Sequence, residues 1–244
     1  MHTLVDDPVL ITTMGLAVDR QRRRLLVVNG DVGIGARTTV STLRKTAGLG
    51  IYDLGSGRRC AYHDLGALEP GRDHFGNDVA VAADGSAFVT DSFSGAVYLV
   101  PRDGPPGVLF RDDRLLPDGR NGANGIVVHP EGFLLVAHTS RGALYRFADD
   151  VLVRVQIDGD IGAPDGLLLD GEFLHVVDNS AANRVLALRS GDNWVTARVV
   201  AAHPWPERAP TTMTVTGCGV YVLSGRLDLL AAGSDTFVLR KLPV

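Results

Sequence analysis

Apolar residues in this chain come in short runs, cut every few positions by Gly, Asp, Asn or Pro. GIVV at 125–128, FLLVA at 133–137 and GLLL at 166–169 are such runs. They are near-continuous rather than alternating, as expected for strands buried on both faces, and turn residues bound them. The pattern predicts many short strands and little helix. Asp84-Gly85, Pro130-Glu131-Gly132 and Asp170-Gly171 read as hairpin turns between consecutive strands.

The runs recur as a unit: a small or polar anchor, an apolar strand, a turn, a second apolar strand and a polar exit. The copies are 14–30, 77–95, 124–142, 165–180 and 213–226. Their anchors are Met14, Asn77, Asn124, Asp165 and Met213, spaced by 63, 47, 41 and 48 residues. The last three spacings match a propeller blade. A third strand follows at 48–54, 95–100, 142–147 and 183–189, and a fourth at 58–65, 107–113 and 151–157. Four antiparallel strands make one blade, and stacked blades bury one another's faces. The expected fold is therefore all-β, a single β-propeller domain over 1–244. The first interval holds an extra insertion, 30–50, expected to lie over the site face, with a short helix in STLRKTA capped by Ser41.

Strand direction alternates, so the start of each first strand and the end of each second strand share one face. Two rings of side chains are expected there. The inner ring is the five anchors. The outer ring is Asn29, Asp91, His138, Asp178 (with Asn179 as its alternative) and Ser224. Asn77, Asn124 and Asp165 supply oxygen donors without Cys or His, a set that suits a hard cation. The alternative is that these residues serve blade-start turns alone. His74, three residues before Asn77, and His138 are candidates for substrate binding or proton transfer, with a structural role as the competing reading.

The ordered set GNDVAV (76–81), GANGIVVHP (122–130) and GAPDGLLLD (162–170) resembles the gluconolactonase/regucalcin (senescence marker protein) family of six-bladed propellers, with strictosidine-synthase-like propellers close behind. The resemblance runs from Met14 to about Arg226. It implies one divalent cation, calcium foremost and manganese or zinc as alternatives, held at the channel mouth by Asn77, Asn124 and Asp165. It further implies lactone or ester hydrolysis with Asp165 as general base and His138 as a second catalytic group. His74, Asp91, Asp178 and Asn29 would then line the substrate site. About five blades are encoded. The family's first blade, with its Glu ligand, has no counterpart, and HTLVDDP reads like that blade's last strand. Two other functions stay open: a non-catalytic propeller that binds a small molecule or protein, and a metal-free enzyme of the strictosidine-synthase type. An incomplete blade would also favour self-association through its open strand edges.

Composition narrows the partners. The formal net charge is −4, with 24 Lys and Arg against 28 Asp and Glu, which argues against nucleic acid. The densest basic cluster, Arg20 and Arg22–Arg24, falls at a turn. No apolar run approaches membrane-spanning length, and MHTLVDDP lacks signal-peptide character, so the expected setting is cytoplasmic with a small-molecule substrate. Cys60 and Cys218 have neither disulfide nor zinc spacing. Trp205, in the loop 203–212, is expected either to offer a stacking surface or to pack in the core.

Overall fold

In the computed structural model, which describes residues 3–232 and 236–243, the apolar runs pair as antiparallel strands. The chain divides into two compact units, residues 1–128 and 129–244. Among the described residues helix is confined to short 3-10 turns.

In the first unit, β1 (Thr12–Asp19), β2 (Arg24–Gly30), β3 (Lys45–Asp53) and β4 (Arg59–Asp64) form one four-stranded blade. β5 (His74–Val81), β6 (Ala87–Asp91), β7 (Ala96–Val100) and β8 (Gly107–Arg111) form the next. A short parallel contact of Lys45 and Thr46 with His74 and Phe75 joins them. β9 (Ala123–Val128) ends the unit. Leu26, Val28, Leu49 and Ile51 of the first blade pack with Val79, Val89 and Tyr98 of the second. This burial is the main stabilising term, because neither blade can hide both faces alone.

In the second unit, β10 (Leu134–His138), β11 (Ala143–Ala148) and β12 (Val151–Arg154) lie side by side. β13 (Gln156–Asp158), β14 (Pro164–Asp170), β15 (Phe173–Asp178), β16 (Arg184–Arg189) and β17 (Thr196–Pro204) form a five-stranded sheet. β18 (Pro210–Thr216), β19 (Gly219–Ser224) and β20 (Val238–Lys241) complete the unit. Trp205 is buried among Val177, Val185, Met213 and Val222, so its role is core packing.

Three expectations change. The run 151–157 is two strands: β12 pairs with β11, the chain breaks at buried Val155, and β13 pairs in parallel with β17 of the next blade. β17 itself sits where the repeat pattern marks no strand. It is an outer strand whose exposure alternates residue by residue, and its Ala and Thr positions give little hydrophobic signal. STLRKTA forms no helix. Thr38 and Thr42 give their hydroxyls to the Asp31 carboxylate at 2.7 Å each, and Lys45 already begins β3. Asp31 also accepts from the Gly33 amide at 2.8 Å, so one buried carboxylate organises the whole insertion.

Residues 3–11 form no strand. Val5, Val9 and Leu10 cover Val27 and Tyr52 of the first blade. Asp7 pins them there, accepting from the Tyr52 hydroxyl at 3.1 Å and from Arg59 at 3.0 Å.

The spacing KTAGLGIYD in β3 has a packing reason. The hydroxyl end of the Tyr62 ring of β4 sits over Gly48 and accepts from Asn29 Nδ2 at 2.9 Å. A Cβ at position 48 would occupy the space of that hydroxyl. Gly48→Ala is therefore expected to destabilise the protein by about 1–3 kcal/mol, the range for overpacking a tight site. Thermal unfolding should show a drop of several degrees, and Tyr62→Phe a smaller one of about 1 kcal/mol from the lost hydrogen bond.

Candidate functional site

Four of the five blade starts obey one local rule. The first strand is interrupted by a register shift: between Thr13 and Leu16, between Gly76 and Val79, between Pro164 and Leu167, and between Pro210 and Thr212. The skipped residues are Met14-Gly15, Asn77-Asp78, Asp165-Gly166 and Thr211. Such bulges re-aim side chains that a regular ladder would bury. They place the anchors at equivalent stations, with one correction. The fifth inner-ring residue is Thr211, because Pro210 pairs with Ser224 as Gly76 pairs with Asp91. Met213 lies further along the strand, pairs with Val222 and packs in the core.

The outer ring is buried. Asn29, Asp91, His138, Asp178 and Ser224 are each at most 1% exposed. In four of the five a polar side-chain atom holds backbone. Asn29 Oδ1 accepts from the Ile11 amide at 2.8 Å, and its Nδ2 donates to the Val9 carbonyl at 2.9 Å. Asp91 Oδ1 accepts from the amides of Phe75, Phe93 and Ser94 at 2.9, 3.0 and 3.2 Å. Asp178 Oδ1 accepts from Ala163 at 2.9 Å and Ser180 at 3.0 Å, while Oδ2 takes Arg184 Nε at 2.8 Å. His138 Nδ1 accepts from the Arg141 amide at 3.2 Å, and Ser224 Oγ accepts from Trp205 Nε1 at 3.0 Å. In the blades of Asn29, Asp91 and Asp178 the side chain that ends the second strand clasps the incoming first strand. The same Asp91 and Asp178 oxygens also hold the turn that follows, and His138 Nδ1 holds its own. Satisfying buried amides is a structural task. It accounts for Asn29, Asp91 and Asp178 without a substrate.

His74 belongs to the same layer. It is buried, with Nδ1 2.7 Å from Asp91 Oδ2 and Nε2 3.0 Å from the Glu69 carbonyl. Both nitrogens face acceptors, so both carry protons. Burial works against that charge, but the hydrogen bond and charge of Asp91, with the Glu69 carbonyl, outweigh it and raise the pKa above the ordinary 6.5. Burial likewise pushes Asp91 upward, and His74 with the Phe75 and Phe93 amides brings it below its ordinary value. The Tyr98 hydroxyl donates to the same Asp91 oxygen at 3.2 Å.

The inner ring differs. Ser92 donates its hydroxyl to the Ala123 carbonyl at 2.6 Å and accepts from Asn77 Nδ2 at 2.8 Å. Ser92 thus takes the nitrogen of the Asn77 amide, and no hydrogen bond from the described residues reaches Oδ1. Two residues earlier, on β6, Thr90 donates to the Asn124 carbonyl at 2.7 Å. Asn124 is 4% exposed and lies on β9 beside these contacts. In the second unit Thr139 donates to the Pro164 carbonyl at 2.8 Å, the counterpart of Ser92 and Ala123. Asn179 Nδ2 donates to Asp165 Oδ2 at 3.1 Å, which orients that half-buried carboxylate.

Asp78 was not among the candidates. It stands where three of the other four repeats have Gly15, Gly125 and Gly166, a signal readable in the sequence. Its carboxylate lies against Gly15 and accepts from the Val79 amide at 2.8 Å and the Ile126 amide at 3.2 Å. Burial pushes its pKa up to about 6 against the pull of those two amides.

Stability should follow the His74–Asp91 pair. A raised imidazole pKa contributes fully below about 6.5 and loses its contribution as pH rises through the folded-state value. Asp91, depressed, loses its share as acid protonates it. Breaking a buried pair by removing one partner costs about 3–5 kcal/mol. His74→Gln is therefore expected to destabilise by that order at pH 6. The gap from wild type, measured by urea unfolding from pH 5.5 to 9, should narrow as pH rises.

No protein-family model matches the sequence, and no curated protein does. Solved structures do match. The major allergen Mala s 1 of Malassezia sympodialis superposes with a TM-score of 0.70 at 18% identity, over 94% of this chain and 77% of that one. A gluconolactonase from Xanthomonas campestris gives 0.60 at 21%, over 90% and 70%. The calcium-binding protein regucalcin from Agrobacterium tumefaciens gives 0.58 at 16%, over 96% and 91%. The repeated blades and these likenesses agree: the chain has the all-β propeller fold of the gluconolactonase/regucalcin type.

Proposed function

We propose that this propeller hydrolyses a lactone or related ester with the help of one divalent cation, calcium foremost. The observation that carries the reading is the Asn77 amide. Ser92 holds its nitrogen, and no hydrogen bond from the described residues reaches its oxygen, at a bulge in the first strand of the blade. An oriented amide oxygen fits a hard cation. Asn124, on β9 of the same unit, brings a second amide to the proposed site, and Asp165 stands at the corresponding bulge of its own repeat. The gluconolactonase and regucalcin likenesses support the choice of chemistry.

When bound, such a cation polarises the substrate carbonyl and favours the charge that develops on its oxygen. The remaining work falls to the chain. Ser92 fixes the Asn77 oxygen and Asn179 fixes the Asp165 carboxylate, so neither has to reorganise on binding. Asp165 serves as ligand and as the general base that takes the proton from the attacking water. The outer ring, locked by its backbone contacts, keeps the blade starts from shifting as substrate enters.

Thermal unfolding of chelator-treated protein against calcium, manganese and zinc tests this reading. A cation at about 100 times its dissociation constant stabilises by about 2.7 kcal/mol, a shift of several degrees. The shift is expected to disappear in Asn77→Ala and Asp165→Ala. Lactone turnover should fall by about 100-fold or more in both variants. Turnover that survives complete chelation would exclude the mechanism.

A further inference from the structure

The insertion ends at Arg44, and the geometry there is costly in a way that glycine or asparagine would avoid. Arg44 has a φ of 56°, in the left-handed region that disfavours side chains with a Cβ. Its backbone is held on both sides. Its amide donates to the Asp31 carbonyl at 2.9 Å, and its own carbonyl accepts from the His74 amide at 2.9 Å. An arginine kept at such a position invites the question of what its side chain does.

The guanidinium lies over the Phe93 ring, 4.2 Å from its centroid. Nε donates to Asp73 Oδ2 at 3.0 Å, and Lys45 Nζ reaches Asp73 Oδ1 at 2.6 Å. Asp73 therefore neutralises one of two neighbouring cations and leaves a surplus positive charge. Arg44 and Lys45 remain about half exposed, at 51% and 48%. The platform under them is rigid. Phe93 packs on Phe75 at 5.3 Å between centroids, and its amide is one of the three held by Asp91. Phe93 directly follows Ser92, the residue that orients Asn77. The arginine is thus stacked on a ring one residue along the chain from the serine that holds the Asn77 amide. An arginine preorganised on an aromatic face, with donors to spare, is suited to a planar or tetrahedral anion.

We infer that Arg44, stacked on Phe93 and backed by Lys45, binds an anionic substituent of the substrate, so that the preferred lactone or ester carries a carboxylate or phosphate away from the scissile bond. This rests on the hydrolase reading for the choice of lactones, but the anion site can be tested without turnover.

Three probes separate the possibilities: gluconolactone, the same ring bearing a terminal carboxylate, and the same ring bearing a terminal phosphate. Wild type is expected to prefer one of the anionic lactones by about 10-fold or more in kcat/KM, with the difference in KM, and the preferred arm identifies the anion. Arg44→Gly relieves the backbone, so its melting temperature should match or exceed that of wild type while the preference falls towards one. Lys45→Gln should lower it partly. A preference that is absent, or that survives in Arg44→Gly, would overturn the inference and leave the hydrolase reading standing. If no lactone is turned over, the hydrolase reading falls, and binding decides the anion site. Titration of the ring-opened dicarboxylate, followed by chemical shifts of the Phe93 ring, should then saturate in wild type and not in Arg44→Gly. No saturable shift in wild type would overturn the inference.

Discussion

A buried polar side chain at the end of a blade's second strand is the constraint on which the rest of this structure depends. Asn29, Asp91 and Asp178 each reach back to amides of the strand entering the same blade. The bulges at the starts of these blades leave backbone amides outside the regular ladder, and an unpaired buried amide is expensive. The side chains fill that need. With the clasp in place the inner strand can bend, and the hydrophobic faces of neighbouring blades can close on one another.

The clasp also divides labour between the two rings. Asn29, Asp91 and Asp178, which end second strands, give oxygens to backbone amides. Residues in the bulges are aimed away from the ladder, where Ser92 holds the Asn77 amide and Asn179 donates to one oxygen of Asp165. Asp78 occupies the glycine station of its repeat and spans from β5 to β9, with Gly15 leaving room for it. One aspartate there couples two inner strands through a single carboxylate. The His74–Asp91–Tyr98 network extends the clasp of the second blade outward and fixes the aromatic platform that carries Arg44.

Much of this was legible along the chain. The repeat of anchor, strand, turn and strand located five blades. The turns at Gly85, Gly132 and Gly171 all adopt positive φ, as their sequences suggest. Asn77, Asn124 and Asp165 were identifiable because polar residues recur where apolar ones would be cheaper. The errors have physical causes. Met213 was chosen over Thr211 because an apolar strand start is conspicuous and a threonine in a bulge is not. The run 151–157 looks continuous, but its halves belong to different blades. β17 was invisible because an outer strand needs little hydrophobicity. Arg44 carried no signal, since its meaning lies in the ring beneath it.

Periodicity and turn chemistry are properties of neighbouring residues, so the sequence by itself determined the fold class, the blade count and the identity of the polar stations. The direction of a buried hydrogen bond depends on partners far along the chain. That Asn29 and Asp91 hold backbone, while no hydrogen bond from the described residues reaches the Asn77 oxygen, was decided only by the tertiary structure. The contacts that settle it join residues 15–33 positions apart in the case of Asn29, Asp91 and Asn77, a separation at which local sequence pattern no longer dictates which atoms meet.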